Sequence, residues 1–257
     1  MNFYYVTPCG GGPEEALVTC CSVVEVAKKH PNAEFYHFFV LNNGACPLDT
    51  SSLTFPGNYN FVEIDINPVG CRAEARNIAL KEIATMEHGL VNFLDSGDLL
   101  LGDIVTYFLE SGVGDGNYEK KLFSCSAIIK GEQYSSIRNP KPVNLIKIIN
   151  PFYIGATYVD SWLAIRIPFR KGRKEDWKYW LEIKDLAREI KLLNVLAYVY
   201  NIKSRRDHLR RKAMLVKDQY QFFRRFLGLN SVLSVGALVA HYSILIYFWF
   251  VAYKNQH

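Results

Sequence analysis

Asp95-Ser96-Gly97-Asp98 sets two carboxylates three positions apart across a glycine-containing turn. Such a pair can hold a hard divalent cation, Mg²⁺ or Mn²⁺, and still leave coordination positions open for diphosphate oxygens. Asp and Gly are also ordinary turn residues, so a strand-ending turn with solvated acids is the competing reading. Two other stretches carry groups that could act with the tetrad. Gly70-Cys71-Arg72-Ala73-Glu74-Ala75-Arg76-Asn77 leads a cationic Arg76 into an apolar-periodic helix, and Glu175-Asp176 opens a second helix with two acids in its first turn.

The elements that must position these groups alternate in type. Phe3 to Val6 is a short apolar, aromatic strand, and Pro8-Cys9-Gly10-Gly11-Gly12 is a turn that delivers Pro13-Glu14-Glu15 to a helix start. Leu17, Cys20, Cys21, Val24 and Ala27 recur at helical spacing up to His30-Pro31, after which Glu34 to Leu41 is strand-like and stops at Asn42-Asn43-Gly44. A strand at Asn60 to Ile64 leads through Asp65 and Gly70 to a helix over Ala73 to Thr85, and Leu90 to Leu94 forms a strand ending at Asp95. This alternation predicts an α/β fold with a mostly parallel sheet flanked by helices. Ligands of such sheets bind beyond the carboxyl ends of the strands, so Pro8, Asn42-Asn43, Asp65 and Asp95 to Asp98 are expected around one crevice. Beyond residue 113 the pattern loosens. Leu122 to Ile129 reads as a strand, Gly131 to Pro142 as a loop, and helical periodicity returns after Glu175 through Trp177, Trp180, Leu181, Leu186 and Ile190.

The succession of Gly70, Ala75-Arg76-Asn77, a helix and Leu94-Asp95-Ser96-Gly97-Asp98 resembles family-two glycosyltransferases of the bacterial surface-polysaccharide type, which have the Rossmann-like GT-A fold. Glu175-Asp176-Trp177-Lys178-Tyr179-Trp180-Leu181 resembles the Glu-Asp-Trp-x-x-Trp-Leu element of the same family, in the same order along the chain. The resemblance covers about residues 3 to 200. It implies that Arg76 lies near a nucleotide diphosphate, that Asp95 and Asp98 hold Mg²⁺ or Mn²⁺, and that Asp176, beside Glu175, deprotonates an acceptor hydroxyl in an inverting transfer. Pro8, Asn43, Asp65, Arg76 and Asp95 would then line the nucleotide-sugar site, with a UDP-sugar as the implied donor. Trp177 and Trp180, three apart on one helical face, would either stack on the acceptor sugar or pack in the core. Two departures stand out: Asn42-Asn43-Gly44 replaces paired acids at the second strand end, where amides can still bind a uracil or ribose edge, and Gly97 replaces an acid, shifting the ligand role toward Asp98.

The 257 residues suffice for one catalytic unit, expected over 1–202 with a nucleotide-binding part to about 111, and an appendage over 203–257. Six cysteines without CxxC spacing suit reduced thiols, and the amino terminus lacks the pattern of a secretory signal. The net charge of +5 is local: residues 203 to 225 hold nine Lys/Arg against two Asp, a balance of +7, so the rest of the chain sums to −2. Phe226 to Tyr253 follows without a Lys, Arg, Asp or Glu, with Gly236 and His241 as candidate interruptions. A basic, aromatic segment beside an apolar one predicts attachment of 203–253 to an anionic membrane surface at the cytoplasmic face of the inner membrane, peripheral or with one span. The expected acceptor is then a lipid-linked saccharide. Nucleic-acid binding by the basic segment is the rival reading, and it leaves the adjoining apolar run unexplained. A degenerate, non-catalytic scaffold is the third, prompted by Asn42-Asn43 and Gly97.

Overall fold

The computed structural model describes residues 1–10, 12–42, 44–66, 70–113, 119–131, 135–201, 216 and 218–254; within the last stretch the side chains of 225, 226, 245 and 248–254 lie outside the description. The expectations for Asn43 and for the basic residues of 203–215 therefore fall outside the described residues. The chain divides into two compact units, one formed by Met1–Pro140 with Phe152–Ile202, the other by Lys141–Pro151 with Lys203–His257. The sequence boundary near 202 gave no sign that residues 141–151 group with the carboxyl-terminal segment.

In the first unit, β1 (Asn2–Cys9), α1 (Pro13–Lys29), β2 (Glu34–Leu41), β3 (Tyr59–Asp65), α2 (Arg72–Ile83) and β4 (Gly89–Phe93) follow the predicted order. β1 is flanked by β2 and β4, both parallel to it, and is buried almost throughout, which explains its unbroken apolar and aromatic run. α1 begins with a proline and two glutamates and ends with Lys28 and Lys29, matching its macrodipole at both ends. Gly89 opens β4 because the backbone of Asn2 lies against it: a Cβ there would sit 2.5 Å from the Asn2 carbonyl oxygen. Pro8 lies inside β1, buried and paired with Val40, so the turn starts after Cys9 rather than at the proline.

The remaining strands are β5 (Leu99–Leu100), β6 (Lys121–Lys130), β7 (Ser135–Arg138), β8 (Thr157–Asp160) and β9 (Glu189–Asn201); the helices are α3 (Asp103–Glu110), α4 (Ser161–Ala164) and α5 (Glu175–Leu186). The nine-stranded sheet runs β3-β2-β1-β4-β8-β6-β9-β5, with β7 also paired to β6. Its first half is parallel. Antiparallel partners enter with β8, between β4 and β6, and with the pairing of β5 and β9. The helical periodicity read through Ile190 breaks at Leu186; Ile190 belongs to β9, held parallel to β6 by Leu122.

At the middle of the parallel half His37 is fully buried, its Nε2 2.9 Å from Thr7 Oγ1 and its Nδ1 3.0 Å from Tyr59 Oη. Burial alone pushes its pKa down to about 3. Because this lies below the unfolded value of about 6.5, the stability from a neutral His37 is complete above pH 6.5 and is lost as pH falls toward 3. Urea titrations between pH 7 and 4.5 should show this as a loss of up to about 1.4 kcal/mol per pH unit, and His37→Gln should flatten that part of the slope.

In the second unit, α6 (Ser231–Lys254) is capped by Asn230, whose Oδ1 accepts from Leu233 N at 2.9 Å. It runs unbroken through Gly236 and His241. His241 is buried and donates from Nδ1 to the Ile148 carbonyl at 2.7 Å, its ring edge-on to Phe223. Val232, Val235, Val239 and Ile246 recur along one face of α6 and are exposed, Val232 by 80% and Ile246 by 65%. Among the described residues no helix is long and apolar enough to cross a membrane.

Candidate active site

The parallel register brings the expected strand ends to one edge of the sheet. Cys9 pairs with Leu41 and Leu41 with Asp65, while Val6 pairs with Phe93, two residues before Asp95. The ladder continues past the strands: Asn42 N donates to Cys9 O, Ile66 N to Leu41 O and Leu94 N to Val6 O, each at 3.0 Å. Asp65 is exposed at this edge, whereas Asn42 is fully buried and neither amide atom has a partner. A Cβ on Gly70 would lie 3.2 Å from Asn42 Cβ, so the missing side chain lets the approach to α2 close over that amide.

α2 starts at Arg72, with Cys71 N donating to Glu74 Oε2 at 3.0 Å, and this fixes the helix phase that turns Arg76 inward. Arg76 is 1% exposed. One Nη donates to Asp95 Oδ1 at 2.7 Å, the other to Glu175 Oε1 at 3.2 Å, and the guanidinium lies over the Phe169 ring at 5.1 Å. Burial opposes its charge, but Asp95, then Glu175 and Asp176, overcome this and hold its pKa above the ordinary value. Both Nη groups are thus committed to carboxylates. Arg76 is thereby a strut that joins the tetrad to the second motif, with its Nε–H left without a partner. One turn earlier on the same face, the exposed Arg72 reaches Asp95 Oδ2 at 3.5 Å and Glu175 Oε1 at 3.7 Å. No role was read for Arg72 from sequence; its i, i+4 relation to Arg76 was the available signal.

Asn77 completes the joint: its Nδ2 donates to Phe169 O at 2.9 Å and its Oδ1 accepts from Phe169 N at 2.7 Å, tying α2 to the segment ahead of α5. At the start of α5 Lys174 takes a left-handed conformation, φ 57°, and presents Glu175 and Asp176 as the first helical residues. Glu175 is buried under the two arginines, which suits it to positioning rather than proton transfer. Asp176 is half-buried, and its pKa is raised, first by burial and then by Glu175, with the Trp177 N–H and Arg76 working the other way. Trp177 and Trp180 are 2% and 0% exposed. Trp180 meets Phe93, Phe152 and Tyr179, so the core alternative holds and neither indole presents a face on which a sugar could stack.

The tetrad is a turn in which Gly97 adopts φ +95°, a left-handed geometry that favours glycine over the acid of the resembled motif. Asp98 is 3% exposed; Oδ1 accepts from Asn201 N at 3.1 Å, and Oδ2 is buried without a partner. Its pKa is pushed up to about 8, by burial and then by Asp95. An orphaned, buried carboxylate oxygen at this edge fits a cation, whereas both Asp95 oxygens already face guanidinium groups. No cluster of three or more His, Cys, Asp or Glu able to hold a metal occurs among the described residues. A hard cation here would take Asp98 as its protein ligand and draw the rest from phosphates and water, as Mg²⁺ commonly does.

Solved structures share this architecture. The chain is similar to S. aureus TarS in complex with UDP-GlcNAc, with a TM-score of 0.58 and 15% identity over 94% of this chain and 71% of that one. The likeness is one of fold. A mannosyltransferase from Pyrobaculum calidifontis in complex with GDP-Man and Mn²⁺ matches this glycosyltransferase fold with a TM-score of 0.58 and 14% identity, over 94% of this chain and 74% of that one. A longer TarS chain matches with a TM-score of 0.56 and 14% identity, with 43% of its length covered. No family model and no curated sequence matches the chain.

Removing the strut should be costly, since Asp95 and Glu175 would be left without their buried cation. Arg76→Leu is expected to lower the unfolding free energy by about 3–5 kcal/mol in urea titrations. Arg72→Leu, which removes an exposed partner, should cost about 1 kcal/mol or less.

Proposed function

We propose that the protein is an inverting glycosyltransferase that moves a sugar from a nucleotide-sugar, a UDP-sugar in this reading, to a hydroxyl of a lipid-linked saccharide in surface polysaccharide synthesis. The observation that carries this reading is the Arg76 bridge, which joins Asp95 of one motif to Glu175 of the other, an acid 99 residues beyond the arginine. Transfer with inversion needs a base on the acceptor side and charge stabilisation on the leaving diphosphate, and the bridge puts a group for each task at one sheet edge. Asp176 accepts the proton of the acceptor hydroxyl. Its raised pKa makes it a stronger base than a solvated aspartate. The exposed guanidinium of Arg72 and the first turn of α2 face the diphosphate. Asp98 Oδ2 would hold Mg²⁺ or Mn²⁺, which supplies charge neutralisation to the departing diphosphate. Asp65 and the buried Asn42 amide lie where the nucleoside would be read, and Asn43 belongs to the same proposal.

Asp176→Asn should lower turnover by at least about 100-fold, within the range for loss of a positioned base, while UDP affinity measured by calorimetry stays within about twofold. Undiminished turnover would remove Asp176 from the mechanism. Because the base must be ionised, kcat in the wild type should fall on the acidic side with a midpoint above the ordinary aspartate range.

Attachment of the second unit to a membrane surface, at the cytoplasmic face, is part of the same proposal. The exposed Val232, Val235, Val239 and Ile246 of α6 follow the net +7 of residues 203 to 225, an apolar face and a basic segment that together suit an anionic lipid surface. The protein should co-sediment with phosphatidylglycerol vesicles and only weakly with phosphatidylcholine. Val239→Asp, at an exposed position, should reduce the bound fraction severalfold without changing the fold by circular dichroism.

A further inference from the structure

The backbone of Gly97 and Asp98 is gripped by side chains from two elements far apart in sequence. From α1, the buried Thr19 hydroxyl donates to Asp98 O at 2.8 Å and accepts from Gly97 N at 2.9 Å. From the end of β9, Asn201 donates through Nδ2 to Gly97 O at 2.6 Å and through its backbone N to Asp98 Oδ1 at 3.1 Å. Gly97 N also donates to Glu15 O at 3.1 Å. These contacts leave two side-chain atoms of the turn buried and unpartnered, Ser96 Oγ and Asp98 Oδ2, and of the two only Asp98 Oδ2 belongs to a carboxylate. A left-handed Gly97 flanked by two such clamps is over-determined, as is usual where a functional group must keep one orientation.

We infer that Thr19 and Asn201 are positioning residues for cation binding: together they fix the backbone on both sides of Asp98 so that its Oδ2 is kept for the divalent ion that accompanies the nucleotide diphosphate. This rests on the glycosyl-transfer reading given above. The logic is that of the groups behind a metal ligand, which orient it and whose loss commonly weakens binding 10–100-fold without touching the ion. Thr19 is suited to the task because a hydroxyl can donate and accept at once, holding the N–H that enters Gly97 and the carbonyl that leaves Asp98. Valine, which keeps the shape, can do neither. Asn201 adds one donor from its amide and one from its backbone, so Oδ1 of the carboxylate is held and Oδ2 is the oxygen left for another partner.

The experiment measures Mn²⁺ binding to the full chain with saturating UDP, read from the spin-resonance signal of free Mn²⁺. Thermal unfolding is recorded in parallel without metal. Thr19→Val and Asn201→Ala should each weaken Mn²⁺ affinity at least tenfold, whereas Thr19→Ser, which keeps the hydroxyl, should stay within about twofold. UDP affinity measured without metal should stay within about twofold for all three. Asn201→Ala keeps the test open if Thr19→Val folds poorly, because its side chain is only part-buried. Wild-type Mn²⁺ affinity in both Thr19→Val and Asn201→Ala, even with lowered melting temperatures, would overturn the inference and make the clamps purely structural. Absence of Mn²⁺ binding by the wild type would instead sink the cation reading itself, and this inference with it.

Discussion

A guanidinium buried to 1% exposure needs partners, and at Arg76 those partners are Asp95 and Glu175. Much of the site's arrangement can be followed from that one requirement. Asp95 comes from the end of β4 and Glu175 from the first turn of α5, so satisfying one cation sets the relative placement of a strand end and two helix starts. Arg72 adds a second positive charge on the outer side, bringing two guanidiniums against two carboxylates. The local balance is neutral, which lets ionic groups sit at a desolvated edge without an uncompensated charge. Phe169 covers the Arg76 face, and the reciprocal hydrogen bonds of Asn77 to its backbone keep that cover in place.

The carboxylates at this edge sit in different surroundings. Asp95 and Glu175 face arginines, while Asp98 and Asp176 are driven upward in pKa chiefly by burial. Groups of one chemical type placed in contrasting environments are a common sign that they are assigned contrasting tasks. Two of these acids hold architecture, and the two with raised pKa are the ones to which the proposed reaction gives chemistry.

The parallel half of the fold was legible because its signals are local. Pro13 with Glu14 and Glu15 announces α1, unbroken apolar runs announce β1, β2 and β4, and polar turns close each strand. The tetrad and the Glu175-Asp176 pair were legible for the same reason, as compact patterns in the right order. What could not be read is non-local. β8 reaches its place between β4 and β6 by pairing with residues some seventy and thirty positions earlier, and nothing in Thr157 to Asp160 announces those partners. β9 continues an apolar pattern from α5, so Ile190 looked helical until its pairing with Leu122 fixed it in the sheet. The indoles of α5 were ambiguous because helical spacing marks a face without saying what lies opposite it; here Phe93, Phe152 and Tyr179 meet Trp180. Arg76 was noticed as a charge, but its role as a strut depends on an acid 99 residues away. Thr19 and Asn201 had no signal beyond a polar residue on the apolar stripe of α1 and an asparagine at a strand end.

Asn201 is the last residue of the last strand among the described residues, and its backbone nitrogen supplies the hydrogen bond to Asp98 Oδ1. A chain emerging from the ribosome therefore holds α1, the tetrad and both arginines long before it has the residue that closes this turn. The parallel half can assemble early, yet the Asp98 carboxylate acquires its native surroundings only when β9 has slotted between β6 and β5. Completion of the sheet and completion of the turn are one event, so a nascent or truncated chain is denied the finished Asp98 turn however well its first hundred residues have folded.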